Sequence, residues 1–282
     1  MPRIGVLIDN NTLDDHLARE HGLSLVILLD SGDRWLWDTG QSGIFFDNAR
    51  AMGIDLAQLS GLALSHGHYD HTGGLDRLWR ETDFTGPIYG HPAVMTGRYA
   101  CSCCSPPRAI GLRTVNRQRL ASQLIPVSDT ARLGPGLTMV TNITRQAGNF
   151  EPIQGFYLDP LGRTTDTIPD DTALVLETGY GPVLILGCCH SGLENTCDHI
   201  AVNLGINRFH ALIGGLHLKS AKPNHIEETL QTITRFGFSE VYAGHCTGTH
   251  AISSLSDALP GKIHPMGSGL LLTFPPSGHS TT

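Results

Sequence analysis

No stretch of this 282-residue chain is apolar for long enough to cross a bilayer. The longest apolar runs, such as Leu23-Ser24-Leu25-Val26-Ile27-Leu28-Leu29, are strand-sized. The opening Met1-Pro2-Arg3-Ile4-Gly5-Val6-Leu7-Ile8-Asp9-Asn10 lacks the apolar core of a secretory leader. A cytoplasmic location with no membrane partner is the resulting expectation. Basic charge is scarce as well: Lys plus Arg number 19 against 26 Asp plus Glu, a net charge of −7 with histidines neutral. That balance speaks against a nucleic-acid backbone as partner. It leaves small molecules, anionic ones included, because a bound metal can supply local positive charge. Only 16% of residues are charged while 40% are hydrophobic, which suits a globular protein with a substantial core. The seven cysteines are an odd number. A chain of this size needs no disulfide staples, so most of them read as reduced thiols.

What the chain does have is histidine, fifteen in all, and one cluster of it stands out. In Ser65-His66-Gly67-His68-Tyr69-Asp70-His71-Thr72-Gly73-Gly74, three imidazoles and a carboxylate fall within six residues, directly after the apolar Leu59–Leu64. Neutral imidazole and carboxylate are the ligands of zinc and of borderline metals such as manganese or iron. His66 and His68, two apart, can converge on one ion from an extended loop. Asp70 and His71 come where the chain turns and can face a second ion.

The remaining apolar runs are short, rich in Val, Ile and Leu, and separated by glycine-bearing turns, so they read as strands. Strands are expected at 23–30, 34–38, 61–65, 87–89, 137–141, 172–177, 183–186, 211–213 and 241–243. Helical patterns fall at 44–52, 75–81, 193–204, 226–236 and 250–259. This alternation without a composition break implies one α/β domain over 1–282, its sheets covered by helices. The region from about 96 to 149 is expected to be an irregular loop or cap over the site. Apart from the first cluster, a strand leads into a histidine-bearing loop at Gly187-Cys188-Cys189-His190-Ser191-Gly192, at Gly244-His245-Cys246-Thr247-Gly248 and, more weakly, at Gly214-Gly215-Leu216-His217. Ligands of α/β sheets bind outside the carboxyl ends of strands, where such loops bring distant residues together.

The run His66-x-His68-x-Asp70-His71 resembles the signature of the metallo-β-lactamase fold superfamily. Further segments resemble one subgroup, the archaeal dihydropterin-linked ribofuranosylaminobenzene 5′-phosphate synthases: Asp9-Asn10-Asn11, Glu20–Ser24, Trp37–Gln41, Gly187–Gly192, Ile213–Leu218 and Gly244–Gly248. The resemblance spans nearly the whole chain and implies an αββα sandwich of two mixed sheets flanked by helices, with metals at one edge. Two departures stand out. Where many members carry a further ligand histidine, this chain has Thr167-Ile168-Pro169-Asp170-Asp171-Thr172, and Cys188 holds the place of the usual metal-bridging aspartate. The ligands implied are therefore His66, His68 and His190 for one ion, and Asp70, His71 and His245 for another. Cys188 is expected to pack beneath the site as a neutral thiol rather than to ligate. Asp38 is expected to support a ligand histidine through its outer N–H. Asp70 could also pass a proton to a leaving group, and His217 is expected to serve catalysis by contacting substrate or supporting a ligand rather than by ligating a metal itself.

The cofactor expected is zinc, one or two ions, with manganese or iron as the other candidates. Two ions about 3.5–4 Å apart would activate a water and polarise a carbonyl or phosphoryl oxygen. The leading function is a metal-dependent hydrolase acting on a small phosphorylated or pterin-like substrate. The alternative is a pterin-linked transferase like the synthases, in which the metals help expel a pyrophosphate-type leaving group. An iron oxidoreductase and a non-catalytic metal-bound sensor stand behind both. His16, His21, His225, His264 and His279 read as surface or structural residues, as do His91 and His250. Cys101, Cys103 and Cys104 form a C-x-C-C spacing that is a weak zinc signal and read as incidental loop thiols.

Overall fold

A computed structural model describes residues 1–102, 105–152 and 155–278. Two seven-stranded mixed sheets face one another. The first runs Leu271–Thr273, Arg3–Ile8, Ser24–Leu28, Arg34–Trp37, Gly61–Ala63, Ile88–Gly90, Leu124–Pro126 in spatial order. The second runs Ile263–Pro265, Glu240–Gly244, Ala211–Gly215, Val183–Leu186, Ala173–Leu176, Leu137–Val140, Thr130–Gly134.

Period-two alternation decides what each strand buries. In Ser24–Leu28, Leu25 and Ile27 point between the sheets, where they meet Met139, Leu174, Leu176, Val183 and Ile185 of the second sheet. Val26 points the other way, under Phe45, Leu75, Leu78 and Trp79 of the helices Ile44–Ala51 and Leu75–Thr82. On the far side, Leu184, Leu212 and Val241 are covered by Leu193, Cys197, Ile200, Ile233 and Leu255 of three further helices. Helices thus cover the outer face of each sheet, the four-layer αββα order expected from the sequence.

Parallel pairing sets the site. From Arg34–Trp37 onward the strands of the first sheet pair in parallel. Val183–Leu186, Ala211–Gly215, Glu240–Gly244 and Ile263–Pro265 do the same in the second. The carboxyl ends of four strands, those ending at Ala63, Leu186, Gly215 and Gly244, therefore open toward one edge of the sandwich.

The structure corrects one expectation. The stretch 96–149 is not irregular. Its described part holds the hairpin Tyr99–Ser102 with Ser105–Ala109, the helix Thr114–Gln123 and the sheet-edge strands Leu124–Pro126 and Thr130–Gly134, besides the expected strand Leu137–Val140. Before Thr130 the buried apolar residues there, Ile110, Leu112, Leu120 and Val127, are few and unevenly spaced and give no clear period. The strand Arg3–Ile8 was likewise not apparent in the sequence. It is buried on both faces, so it shows no alternation.

Candidate metal centre

His66 follows the strand Gly61–Ala63. His68 caps the short helix Tyr69–Thr72 in extended conformation, and that helix carries Asp70 and His71 on its first turn. The loop is held by Asp38, which lies just beyond the strand Arg34–Trp37 with a left-handed backbone at φ 59°. One Asp38 oxygen accepts from the Ser65 backbone N–H at 2.8 Å. The other accepts from the Ser65 hydroxyl at 2.6 Å and from His71 Nδ1 at 2.7 Å. Ser65 Oγ, its proton given to Asp38, accepts in turn from His66 Nδ1 at 2.9 Å. Asp38 thus holds His71 directly and His66 through Ser65. Gly187, at the end of a second-sheet strand, makes this possible: a Cβ there would lie 2.3 Å from Ser65 Oγ.

Two of the other imidazoles, those of His190 and His245, are tied in the same manner. His190 Nδ1 donates to the Pro152 carbonyl at 3.0 Å. His245 Nδ1 donates to Asn10 Oδ1 at 3.1 Å, and its backbone N–H donates to Asp9 Oδ2 at 2.7 Å. With the outer nitrogens engaged, the inner ones turn toward each other. His66 Nε2 is 2.9 Å from His68 Nδ1, and His71 Nε2 is 3.2 Å from His245 Nε2. Asp70 Oδ2 lies 3.9 Å from His71 Nε2 and 3.6 Å from His245 Nε2. The structure thus brings together all six residues expected as ligands, in two sets. The ligand atoms of His66, His68 and His190 lie within 4.8 Å of one another.

Two observations test whether this set fits a cation. His190 Nε2 and His68 Nε2 are buried with no hydrogen-bond partner among the described residues, a costly state for a polar atom. And inward-facing imidazole nitrogens at 2.9 and 3.2 Å need a proton or a metal between them. The electrostatics agree. Burial and the neighbouring imidazoles hold His66 and His190 well below the ordinary histidine range, and burial holds His68 there too. Burial drives His245 down to about 4. His71 is the exception: burial opposes its charge, yet Asp38 and Asp70 outweigh it and push it up to about 9. Burial likewise opposes the Asp70 carboxylate, but His71, His21 and His245 hold it well below the usual range. Neutral imidazoles around an ionised carboxylate are a divalent-metal donor set, and the residues fit one.

Cys188 Sγ lies 3.2 Å from His71 Nε2, among the ligand atoms rather than beneath them. His217 follows the strand Ala211–Gly215 with its backbone at φ 49°, its ring 4.5 Å from that of His190, and its Nδ1 buried without a partner among the described residues. It lines a cleft of about 160 Å³ with Phe150, Pro152, Ser220, Lys222 and His225. Phe156, on a strand paired with Tyr99–Ser102, covers His68 and His190 at ring distances of 5.2 and 5.5 Å.

Three contributions were missed in the sequence. His21, read as a surface or structural residue, stands 3.1 Å from Asp70 Oδ2 and stacks on His245 at 5.4 Å, its side chain half exposed. His21 lies within the run Glu20–Ser24 that carries the resemblance, but its convergence with Asp70 is tertiary and leaves no local signal. Arg98, fully buried, donates to Asp166 at 2.6 Å and to Asp170 at 2.9 Å. Asp170 also accepts from the Gly67 N–H at 2.8 Å. The histidine-free stretch 167–172 therefore clamps the ligand loop from outside. Cys246 joins Cys188 and His245 in a third group of close ligand atoms. Of the remaining thiols and histidines, Cys101 is half buried away from the site, whereas Cys103, Cys104 and His279 lie outside the described residues.

The metallo-beta-lactamase superfamily model matches residues 19–100. Over 270 residues, 90% of each chain, the sequence is 29% identical to a 7,8-dihydropterin-6-methyl-4-(β-D-ribofuranosyl)-aminobenzene-5′-phosphate synthase of Methanocaldococcus jannaschii. A solved metal-dependent hydrolase of the beta-lactamase superfamily superposes with a TM-score of 0.81 at 26% identity, covering 98% of this chain and 100% of the other. Zinc-bound PqqB of Methylobacterium extorquens, at 13% identity and a TM-score of 0.59 over 96% of this chain and all of that one, shares the fold. No helix among the described residues is long and apolar enough to cross a membrane.

Proposed function

We propose that this chain, which has the metallo-β-lactamase fold, is a zinc-dependent enzyme that displaces a group from a small phosphorylated or pterin-like substrate, with water as the acceptor. The observation that carries the reading is the set of imidazoles whose outer nitrogens are engaged by fixed partners while the inner ones converge. His66, His68 and His190 would hold one ion; His71, His245 and Asp70 would hold the other. When bound there, a divalent cation supplies Lewis-acid charge that polarises a phosphoryl or carbonyl oxygen and acidifies a water.

The chain's own residues do the rest. Asp38 and Asn10 keep the inner nitrogens of His71 and His245 facing the site. Asp70, ionised at neutral pH, can take a proton at Oδ2, and the half-exposed His21 at 3.1 Å offers that proton a route to solvent. His217 and Lys222 line the adjoining cleft, where they suit the anionic end of a substrate. Phe156 shields the His68 and His190 edge from bulk water.

One finding favours a second reading. The Methanocaldococcus relative is named as a synthase, and on that reading the same site serves a transferase in which the acceptor is an arylamine ribophosphate and the donor a pterin. Metal analysis of the purified chain, followed by assay of the zinc-loaded enzyme on phosphoesters and on a dihydropterin donor with and without acceptor, separates the two. Turnover without acceptor supports the hydrolase; turnover only with acceptor supports the transferase. A chain with no bound metal, or one as active after His190→Ala, refutes both.

A further inference from the structure

We infer that Cys188 and Cys246 are themselves metal ligands, so that the ion held by His71 and His245 sits in a thiolate-bearing site. The inference rests on the metal-dependent reading above and deepens it.

Seven cysteines allow a comparison within one molecule. Cys189 and Cys197 behave as ordinary core thiols. Both belong to the apolar cluster under the helices of the second sheet, and Cys189 Sγ faces Thr196 Oγ1 at 3.8 Å. Cys188, one residue earlier, is just as buried but belongs to none of the three apolar clusters. Its sulfur turns the opposite way, into the imidazoles. It shares a close group with His66 and His71, another with His190 and His217, and a third with His245 and Cys246. A side chain there to fill space would have apolar neighbours; this one has five nitrogen ligands and a second sulfur.

Cys246 is admitted by a specific gap. A Cβ on Gly215 would come within 2.6 Å of its sulfur, so only glycine at the end of that strand leaves room for the thiol. Its Sγ also lies 3.7 Å from the Cys188 carbonyl oxygen, which keeps it on the site side of the turn His245–Thr247. Zinc bonds of about 2.3 Å to sulfur and 2.0–2.1 Å to nitrogen put two ligands of one ion within roughly 4.4 Å. The 3.2 Å between Cys188 Sγ and His71 Nε2 meets that condition.

The chemistry balances simply: as the ion enters, each thiol releases its proton to solvent and each sulfur donates a lone pair, with no redox change. The resulting donor set, two imidazoles and two thiolates with Asp70 beside them, is a soft one. It favours zinc over manganese or magnesium, which prefer oxygen. Sulfur therefore replaces the carboxylate whose absence at position 188 stood out in the sequence.

Cobalt(II) reports thiolate ligation directly. The full chain, purified reduced and stripped by chelator, is loaded with cobalt(II) without oxygen, and cobalt content and near-ultraviolet absorbance are recorded. The expected result is a sulfur-to-cobalt charge-transfer band that falls by about half in Cys246→Ser and vanishes in Cys188→Ser/Cys246→Ser. Cys189→Ser leaves it unchanged. Zinc affinity in Cys188→Ser drops at least about 10-fold, the lower end of what losing even an outer support costs. Bound cobalt without the band, or a band that survives in the double variant, overturns the inference and leaves the metal-dependent reading intact. A chain that takes up no cobalt overturns both. Should the serine variants fail to fold, cadmium NMR of the unaltered chain decides: a thiolate-shifted resonance supports the inference and a purely nitrogen- and oxygen-ligated one refutes it.

Discussion

Replacing Arg98 with methionine removes one cation from between two carboxylates that have no access to water. Arg98 and Asp170 are 0% exposed at the side chain and Asp166 is 1% exposed. The guanidinium donates to Asp166 at 2.6 Å, to Asp170 at 2.9 Å and to the Ala93 carbonyl at 3.3 Å. Methionine keeps much of the volume but leaves two buried charges uncompensated, a change worth about 3–5 kcal/mol. Burial is complete, so solvent screening does not reduce that figure. At about 2–4 °C per kcal/mol for a chain of this order of size, the thermal midpoint falls by roughly 6–20 °C. Neutralising the carboxylates together with the cation, in Arg98→Met/Asp166→Asn/Asp170→Asn, should restore more than half of the loss, because the penalty lies in the unpaired charges. The single variant should also bind zinc about 10- to 100-fold more weakly. Asp170 holds the Gly67 N–H between His66 and His68, and it cannot keep that geometry without its partner. Thermal denaturation followed by circular dichroism, together with zinc titration, reads both effects. A midpoint within about 2 °C of the parent and an unchanged affinity would refute the reasoning.

His68→Ala and His190→Ala should each lower bound metal by about one ion per chain, measured by elemental analysis, while the far-ultraviolet spectrum is kept. Gly187→Ala drives a Cβ to 2.3 Å from Ser65 Oγ and should destabilise by about 1–3 kcal/mol; a neutral result in denaturant titration would show that the two strand ends are not in contact. His21→Ala should lower kcat with little change in KM, and exogenous imidazole should restore part of the rate; no response to imidazole argues against a proton route through His21. In chelator-treated protein, His71 is raised from 6.5 to about 9 against burial by Asp38 and Asp70, so it contributes stability that is fully present below pH 6.5 and lost as pH rises through about 9. The melting temperature of that form should decline across this window, Asp38→Asn should flatten the decline, and zinc affinity should climb with pH as the competing proton leaves.

How much of this was legible in the sequence depended on how local the chemistry is. His66, His68, Asp70 and His71 announce themselves because four ligand-type side chains share one loop. His190, His217 and His245 could be found because each follows a short apolar strand through glycines, and parallel strands deliver their ends to one edge. His21 could not, since nothing near it in sequence signals that its ring meets Asp70 and His245. The Arg98 clamp was hidden for the same reason: an arginine among polar residues reads as solvated until the fold encloses it. The hairpin and the edge strands Leu124–Pro126 and Thr130–Gly134 escaped because few of their residues are buried.

The backbone shows what assembling this site requires. Among the described residues, seven other than glycine adopt positive φ, and four of them are Asp38, Cys189, His217 and His245. Each such residue costs on the order of 1–3 kcal/mol unless its surroundings impose it. Here the surroundings do. Asp38 follows Trp37, which is buried between the sheets and reaches across to donate to the Leu186 carbonyl. Cys189, His217 and His245 follow buried strand ends of the second sheet. The turns place side chains from different strands within bonding distance of one another, and they leave the buried His190 Nε2 without a hydrogen-bond partner among the described residues. Zinc binding should therefore stabilise the fold by about RT ln(1 + [Zn]/Kd), near 4 kcal/mol at a thousandfold excess over Kd. In variants lacking His68 or His190, that gain in melting temperature with zinc should shrink before any loss of secondary structure is seen.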